Sequence, residues 1–149
     1  MTNEVRSLLE GYLPVIHYFC CKDAAANIEC YKTAFGATEL ESMRIAAPDG
    51  KIGHTEIRIG NAPIMITNEF PKYNMRSPRS IGGSPVSILL YVNNVDGVAR
   101  RAVAAGAKTV EPVRDQFYGD QSGRFEDPFG HIWWVARHKE EISHETLNF

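Results

Sequence analysis

The chain has 149 residues, of which 44% are hydrophobic and 23% charged, with a formal net charge of -2. That is one domain's length with an ordinary globular composition, and folding at this size buries about two-thirds of the surface. It excludes a nucleic-acid binder built on a concentrated basic face, and no stretch approaches the roughly 18 apolar residues that cross a bilayer.

Met1 to Gly11 carries Glu4, Arg6 and Glu10 and lacks an apolar signal core. It is expected to be a short extension with one helical turn. Val15 to Cys21 is β-branched and aromatic, a strand signature. Asp23 then caps a helix. Ile28, Tyr31 and Phe35 share one face of it, and Gly36 closes it in a left-handed conformation. Thr38 to Arg44 is expected to be a second strand. Ala47 to Gly50 is a Pro-Asp-Gly turn. Ile52 to Ile59 and Ala62 to Asn68 are the third and fourth strands. Residues 70–84 are rich in Pro, Gly, Ser and Arg, and a loop of this length is usually functional or mobile.

The second half repeats the order. Pro85 to Val92 reads as a strand, and a helix capped at Asn93 follows. Its face is Val95, Val98, Ala102 and Ala105, and it ends at Gly106. Thr109 to Val113 is a strand, Tyr118 to Asp127 a Gly-rich turn and a strand, Asp127 to Gly130 a tight turn, and His131 to His138 the last strand. Lys139 to Phe149 is a polar tail expected to fray or to lie on a partner. The two helix segments, Asp23 to Thr38 and Asn93 to Lys108, are offset by close to half the chain. The reading is therefore α+β, with two paired β-α-β-β-β modules, 13–69 and 85–138, in one domain over 13–140. Each helix covers one side of its sheet, and the other side curves around a cavity.

Cys20, Cys21 and Cys30 are odd in number and lack metal-site spacing. They are expected to be reduced thiols in a cytoplasmic protein. The sequence contains no G-x-S-x-G elbow, Walker loop or dinucleotide fingerprint.

Several segments carry a family likeness. They are Ala25 to Gly36 with its C-Y-K-T-A-F-G ending, G-H-T-E-I-R-I-G at Gly53 to Gly60, and E-D-P-F-G-H at Glu126 to His131. Together with the doubled module they resemble the vicinal oxygen chelate superfamily, which includes glyoxalase I, extradiol dioxygenases, fosfomycin-resistance enzymes and bleomycin-resistance proteins. Ser77 to Val86 and Asp115 to Asp120 are similar to its PhnB-like, glyoxalase-like branch. The resemblance implies a homodimer and a ligand cleft near or across the interface. In the superfamily's metal-dependent members, His and Glu side chains on cavity-facing strands hold one divalent ion that polarises an oxygen substrate. Those positions fall here at Ile16, Met65, Ser87 and Trp134, a poor set for such an ion. The internal repeat pairs His17, not Ile16, with Ser87, and His17 alone would not hold a metal.

The expectation is a protein with no metal and no cofactor that binds an apolar or aromatic small molecule. On the third strand His54, Glu56 and Arg58 share a face. His54 and Glu56 read as an acid/base pair, or Glu56 and Arg58 as a structural salt bridge beside a wet cavity. Met65, Thr67 and Glu69 share the next face. Met65 and Trp134 read as apolar walls, Trp134 as an aromatic floor, and Ser87 as a neutral position between them. Tyr118 and Arg124 are the preferred polar contacts at the mouth, where Arg79, Asp115, Gln116 and Asp120 also lie. Asp127, Pro128 and Gly130 read as turn formers, His131 as structural, and His138 and His144 as exposed. The alternative is a metal-dependent lyase or isomerase drawing ligands from His17, His54, Glu56 or Glu69, or a metal-free isomerase using His54 and Glu56.

Overall fold

The computed structural model describes residues 5–148. The N-terminal extension expected over residues 1–11 lies partly outside the described residues; from residue 5 onward it forms turns rather than a helix. β1 (His17–Cys21) alternates: Phe19 and Cys21 are buried, whereas Tyr18 is half-exposed. α1 (Ala24–Phe35) starts where Asp23 Oδ1 accepts the Ala26 N–H at 3.1 Å, and stops at Gly36 with φ 69°. Its buried face includes Ile28 and Tyr31, as the spacing predicts.

The strand expected over Thr38 to Arg44 is broken. β2 (Thr38–Glu39) and β3 (Ile45–Ala46) flank a 3-10 turn at Glu41–Met43. Arg44 folds back to fork onto Glu39 with contacts of 2.6 and 2.7 Å, and that pair bends the segment. β4 (Ile52–Ile59) and β5 (Ala62–Asn68) follow, then a 3-10 turn at Pro71–Tyr73 and a single helical turn, α2 (Pro78–Ile81), inside the linker. The second module is β6 (Ser87–Tyr91), α3 (Val95–Ala104), β7 (Lys108–Asp115), β8 (Asp120–Glu126) and β9 (Ile132–His138). The α3 cap is Asn94, one residue later than expected.

Each module closes on itself by setting its first strand parallel to its last. The sheet orders are β1-β5-β4-β2, with β3 also on β4, and β6-β9-β8-β7. β7 contains Pro112, which costs no central ladder bond because β7 is an edge strand carrying register shifts.

The helix-facing sides of the two sheets share one core. Phe19, Tyr31, Ile57, Ile66, Ile88 and Trp133 belong to a single cluster spanning both modules, with Phe35 packed against it. Val95, Val98, Phe125 and Val135 form a smaller one under α3. His131 is buried at this seam. Its ring stacks on Phe19 at 4.5 Å and 9°, and its Nε2 lies 3.8 Å from Cys21 Sγ.

Asp127, read from sequence as a turn former, does much more. It is 2% exposed. Its carboxylate accepts from Tyr31 Oη of the other module at 2.5 Å, from Trp133 Nε1 at 3.0 Å, and from the N–H groups of Phe129 at 2.9 Å and His131 at 3.1 Å. Burial and then the Asp127 charge push the Tyr31 phenol well above its ordinary range, so it stays a donor.

Two outcomes follow. Asp127→Ala strands four donors, three of them buried, and is expected to cost about 3 kcal/mol or more in urea unfolding, whereas Tyr31→Phe costs about 1–2 kcal/mol. An Asp127→Ala cost below about 1 kcal/mol would remove the clamp from the account. Burial also lowers the His131 pKa from 6.5. The folded chain therefore resists a proton that the unfolded chain accepts. This stability is present above the unfolded value and is lost as pH falls through the lowered folded one. Unfolding midpoints scanned downward from neutral pH should show an acid loss that His131→Asn flattens.

Candidate functional site

The non-helical face of the first sheet carries His54, Glu56 and Arg58 on β4, in line with the period of two. Met65 lies opposite Glu56, and Tyr18 opposite Met65. Glu56 is fully buried. One carboxylate oxygen accepts from Tyr12 Oη, and the other accepts from Arg58 Nε at 3.1 Å. The Arg58 guanidinium lies 5.0 Å from the centre of the Tyr12 ring. The segment before β1 thus reaches this face through Tyr12, and Tyr12 and Arg58 together engage both Glu56 oxygens. His54 Nδ1 pairs with Tyr18 Oη at 2.7 Å. The geometry thus gives Glu56 and Arg58 the salt bridge and does not bring His54 and Glu56 together as an acid/base pair. Arg58 and His54 are both two residues from Glu56, but the long Arg58 side chain reaches it, and Tyr18 reaches across β5 to take the imidazole.

At the end of β5, Thr67 is buried and donates to its neighbour's carbonyl, Asn68 O, at 3.0 Å. Glu69 accepts the Ser77 N–H at 2.7 Å and pairs with Lys22 at 3.4 Å. Burial opposes its charge, but hydrogen bonds from Ser77 and Ser80 and the nearby Lys22 outweigh burial and hold the carboxyl down at about 2. Glu69 ties the linker to the first module rather than facing a ligand cleft.

The second sheet is different. A cavity of about 620 Å³ lies over its non-helical face. Ser87, Leu89 and Tyr91 of β6 form one row of its floor, and Trp134, Ala136 and His138 of β9 form the next. The ladder sets Leu89 beside Trp134, and Tyr91 beside Ala136 and then Ser122. Tyr118 stands at the mouth. Arg124 does not line the cavity: its guanidinium lies 5.2 Å from the Trp134 ring centre and is tethered to Glu111 at 3.0 Å.

A polar chain runs along one wall. Tyr91 Oη donates to Asp120 Oδ2 at 2.8 Å, His138 Nδ1 lies 2.8 Å from Asp120 Oδ1, and His138 Nε2 lies 2.9 Å from Glu141 Oε1. The hydrogen bond to Asp120, then that to Glu141, raises the His138 pKa above its ordinary 6.5. The Ser122 hydroxyl is buried with no hydrogen-bond partner.

The tail forms the roof. It returns to its own module instead of fraying. The N–H groups of Lys139 and Glu140 both donate to Gly119 O, at 2.9 and 3.1 Å, and Lys139 Nζ reaches Asp115 at 3.0 Å. Gly119 has φ 102°, and a Cβ there would lie 2.2 Å from Glu140 O, so only glycine lets the tail approach. His138 and His144 are exposed, as expected, and also border the cavity. Extending the period of two from Ser87 and Trp134 would have found Leu89, Tyr91 and His138. Nothing in the sequence signals the tail residues Ile142 and Leu147.

The superfamily's ion does not fit these residues. The positions aligned with its ligands supply an alkyl group (Ile16), a thioether (Met65), a hydroxyl (Ser87) and an indole (Trp134). Met65 sits beside Glu56 on the first sheet, whereas Ser87 and Trp134 line the cavity on the second. His17 shares its face with Phe19 and lines a separate seam cavity of about 320 Å³ with Arg76 and His131. The repeat that pairs His17 with Ser87 is thus one residue out of register. Among the described residues no three His, Cys, Asp or Glu side chains gather as a metal site.

Similar proteins share this architecture. An uncharacterized protein of Mycobacterium bovis is 38% identical over 128 residues, spanning 84% of this chain and 83% of that one. TioX from Micromonospora sp. ML1 superposes with a TM-score of 0.64 at 25% identity, covering 83% of this chain and 96% of that one. A PhnB protein from Bacillus cereus does so at 0.63 and 10% identity, covering 84% and 99%, a likeness of fold alone. The family model described as Glyoxalase/Bleomycin resistance protein/Dioxygenase superfamily matches residues 15–135. Paired modules, shared motifs and a match running through both halves lead to one conclusion: this chain belongs to the glyoxalase/bleomycin resistance protein/dioxygenase superfamily, also called vicinal oxygen chelate.

Proposed function

We propose that this protein binds an apolar or aromatic small molecule in the cavity over its second sheet, without the superfamily's ion. One observation carries the reading: a cavity of about 620 Å³ whose floor is Trp134 and Leu89 and whose polar groups converge on one wall. Its size lies within the about 300–1,000 Å³ typical of small-molecule sites, and so does its mix of apolar lining with a few placed polar groups. Ser87 and Tyr118 line it as well. The enzyme alternative based on His54 and Glu56 loses support, because Glu56 is already bound by Tyr12 and Arg58.

The reading includes a homodimer. β1 and β6 are edge strands, and Val15, Tyr18, Val86, Leu89 and Tyr91 are exposed along them. A second copy would cover these apolar groups. Three free thiols, Cys20, Cys21 and Cys30, support a reducing, cytoplasmic setting. Among the described residues no helix is long and apolar enough to cross a membrane.

The test uses a flat, neutral probe, 2-naphthol, titrated into the full chain by calorimetry. Trp134→Ala is expected to weaken binding about tenfold or more by removing the stacking surface. Equal affinity in the variant, or a parent protein that binds neither 2-naphthol nor its charged analogues 2-naphthoate and 2-naphthylmethylamine, sinks the proposal.

A further inference from the structure

The cavity's polar wall has a direction. His138 Nδ1 is committed to Asp120, and Asp120 is 7% exposed and held on its other oxygen by Tyr91. The imidazole is therefore fixed in orientation, with Nε2 as its free edge. That edge is met by one group, the Glu141 carboxylate at 2.9 Å. The Glu141 side chain is 95% exposed, so its contact is the kind of solvated pair that contributes little. Beside this wall, Ser122 is 1% exposed, lines the same cavity and carries a buried hydroxyl without a partner. It sits on the ladder row of Tyr91 and Ala136, a second hydrogen-bonding group held ready on the same face.

We propose that His138, oriented by Asp120, is the subsite for a carboxylate or similar oxyanion on a flat apolar ligand, and that Glu141 of the tail stands in that place until the ligand displaces it. The inference rests on the reading that this cavity takes a small molecule, and it adds the ligand's chemical class. No Lys or Arg lines the cavity, and Arg124 beside the Trp134 ring is tethered to Glu111, so the imidazolium is the positive group available there. Exchanging the Glu141 carboxylate for a ligand carboxylate leaves the charge around His138 unchanged, while the ligand's body gains burial on Trp134 and Leu89. A cationic ligand meets an Asp120 carboxylate engaged on both oxygens and an imidazolium that repels it, which leaves it the solvated Glu141 carboxylate, a weak partner.

The groups that face His138 are Asp120 on β8, Glu141 on the tail, Tyr91 through Asp120, and Tyr118 and His144 on the cavity rim. Asp120 and then Glu141 favour its charged form. Oxyanion binding is accordingly present at low pH and is lost as pH rises through the raised His138 value, which lies above 6.5.

Three probes of one shape separate the possibilities: 2-naphthoate, 2-naphthol and 2-naphthylmethylamine, each titrated into the full chain and into Glu141→Gln and His138→Gln. Glu141→Gln should raise the naphthoate-to-naphthol affinity ratio about threefold to fivefold, and His138→Gln should abolish the preference. In the parent protein the ratio should fall from about pH 6 to about pH 9. An unchanged or lower ratio in Glu141→Gln, an unchanged ratio in His138→Gln, or a preference for the amine overturns the inference. If naphthol binds and the substitutions leave the ratio flat, this inference alone fails; if none of the three probes binds, the small-molecule reading fails with it.

Discussion

The buried carboxylate of Asp127 is the constraint on which the rest of the molecule depends. It takes four donors, one of them the Tyr31 hydroxyl from the helix of the opposite module. A charge buried to this degree is tolerable only when its lone pairs are satisfied, so the Asp127 turn, α1 and Trp133 can occupy only one mutual arrangement. His131, stacked on Phe19, closes the same seam. The relation between the two modules follows from this polar anchor set inside a shared apolar core.

That relation decides which faces are free. α1 and the helix-facing sides of both sheets meet in the cluster joining Phe19, Ile57 and Ile88 to Trp133, and α3 covers a smaller one with Phe125 and Val135. The opposite faces are left over, and the chain treats them differently. On the first sheet the segment through Tyr12 folds over Glu56 and Arg58 and turns a polar strand face into a closed ion-pair site. On the second sheet the tail, held to Gly119, leaves a hollow floored by Trp134. Two modules with the same topology thus have different surfaces because different terminal segments lie on them.

The residues at the superfamily's ion positions differ between the sheets in the same way. Where the superfamily's metal-dependent members place His and Glu, this chain places a thioether, a hydroxyl and an indole. These groups make a surface for burial and stacking rather than for coordination. Three titratable groups in the cavity, Asp120, His138 and Glu141, lie along one wall and engage one another.

The sequence by itself determined what depends on local pattern. Alternating strands, helix caps at Asp23 and beside Gly36, and the turn at Asp127 to Gly130 are read from neighbours a few residues apart, because backbone geometry imposes periods of 2 and 3.6. The doubled module and the shared face of His54, Glu56 and Arg58 were legible for that reason, whereas the inward position of Trp134 came from the resemblance to the superfamily. Tertiary structure alone decided which partners those faces meet. Tyr12 reaching Glu56, Tyr31 reaching Asp127, Tyr18 taking His54, and the tail bringing Glu141 to His138 join residues whose pairing depends on how strands and terminal segments are laid over one another. No local period encodes that arrangement, and it took His54 from Glu56 and put His138 in the cavity wall.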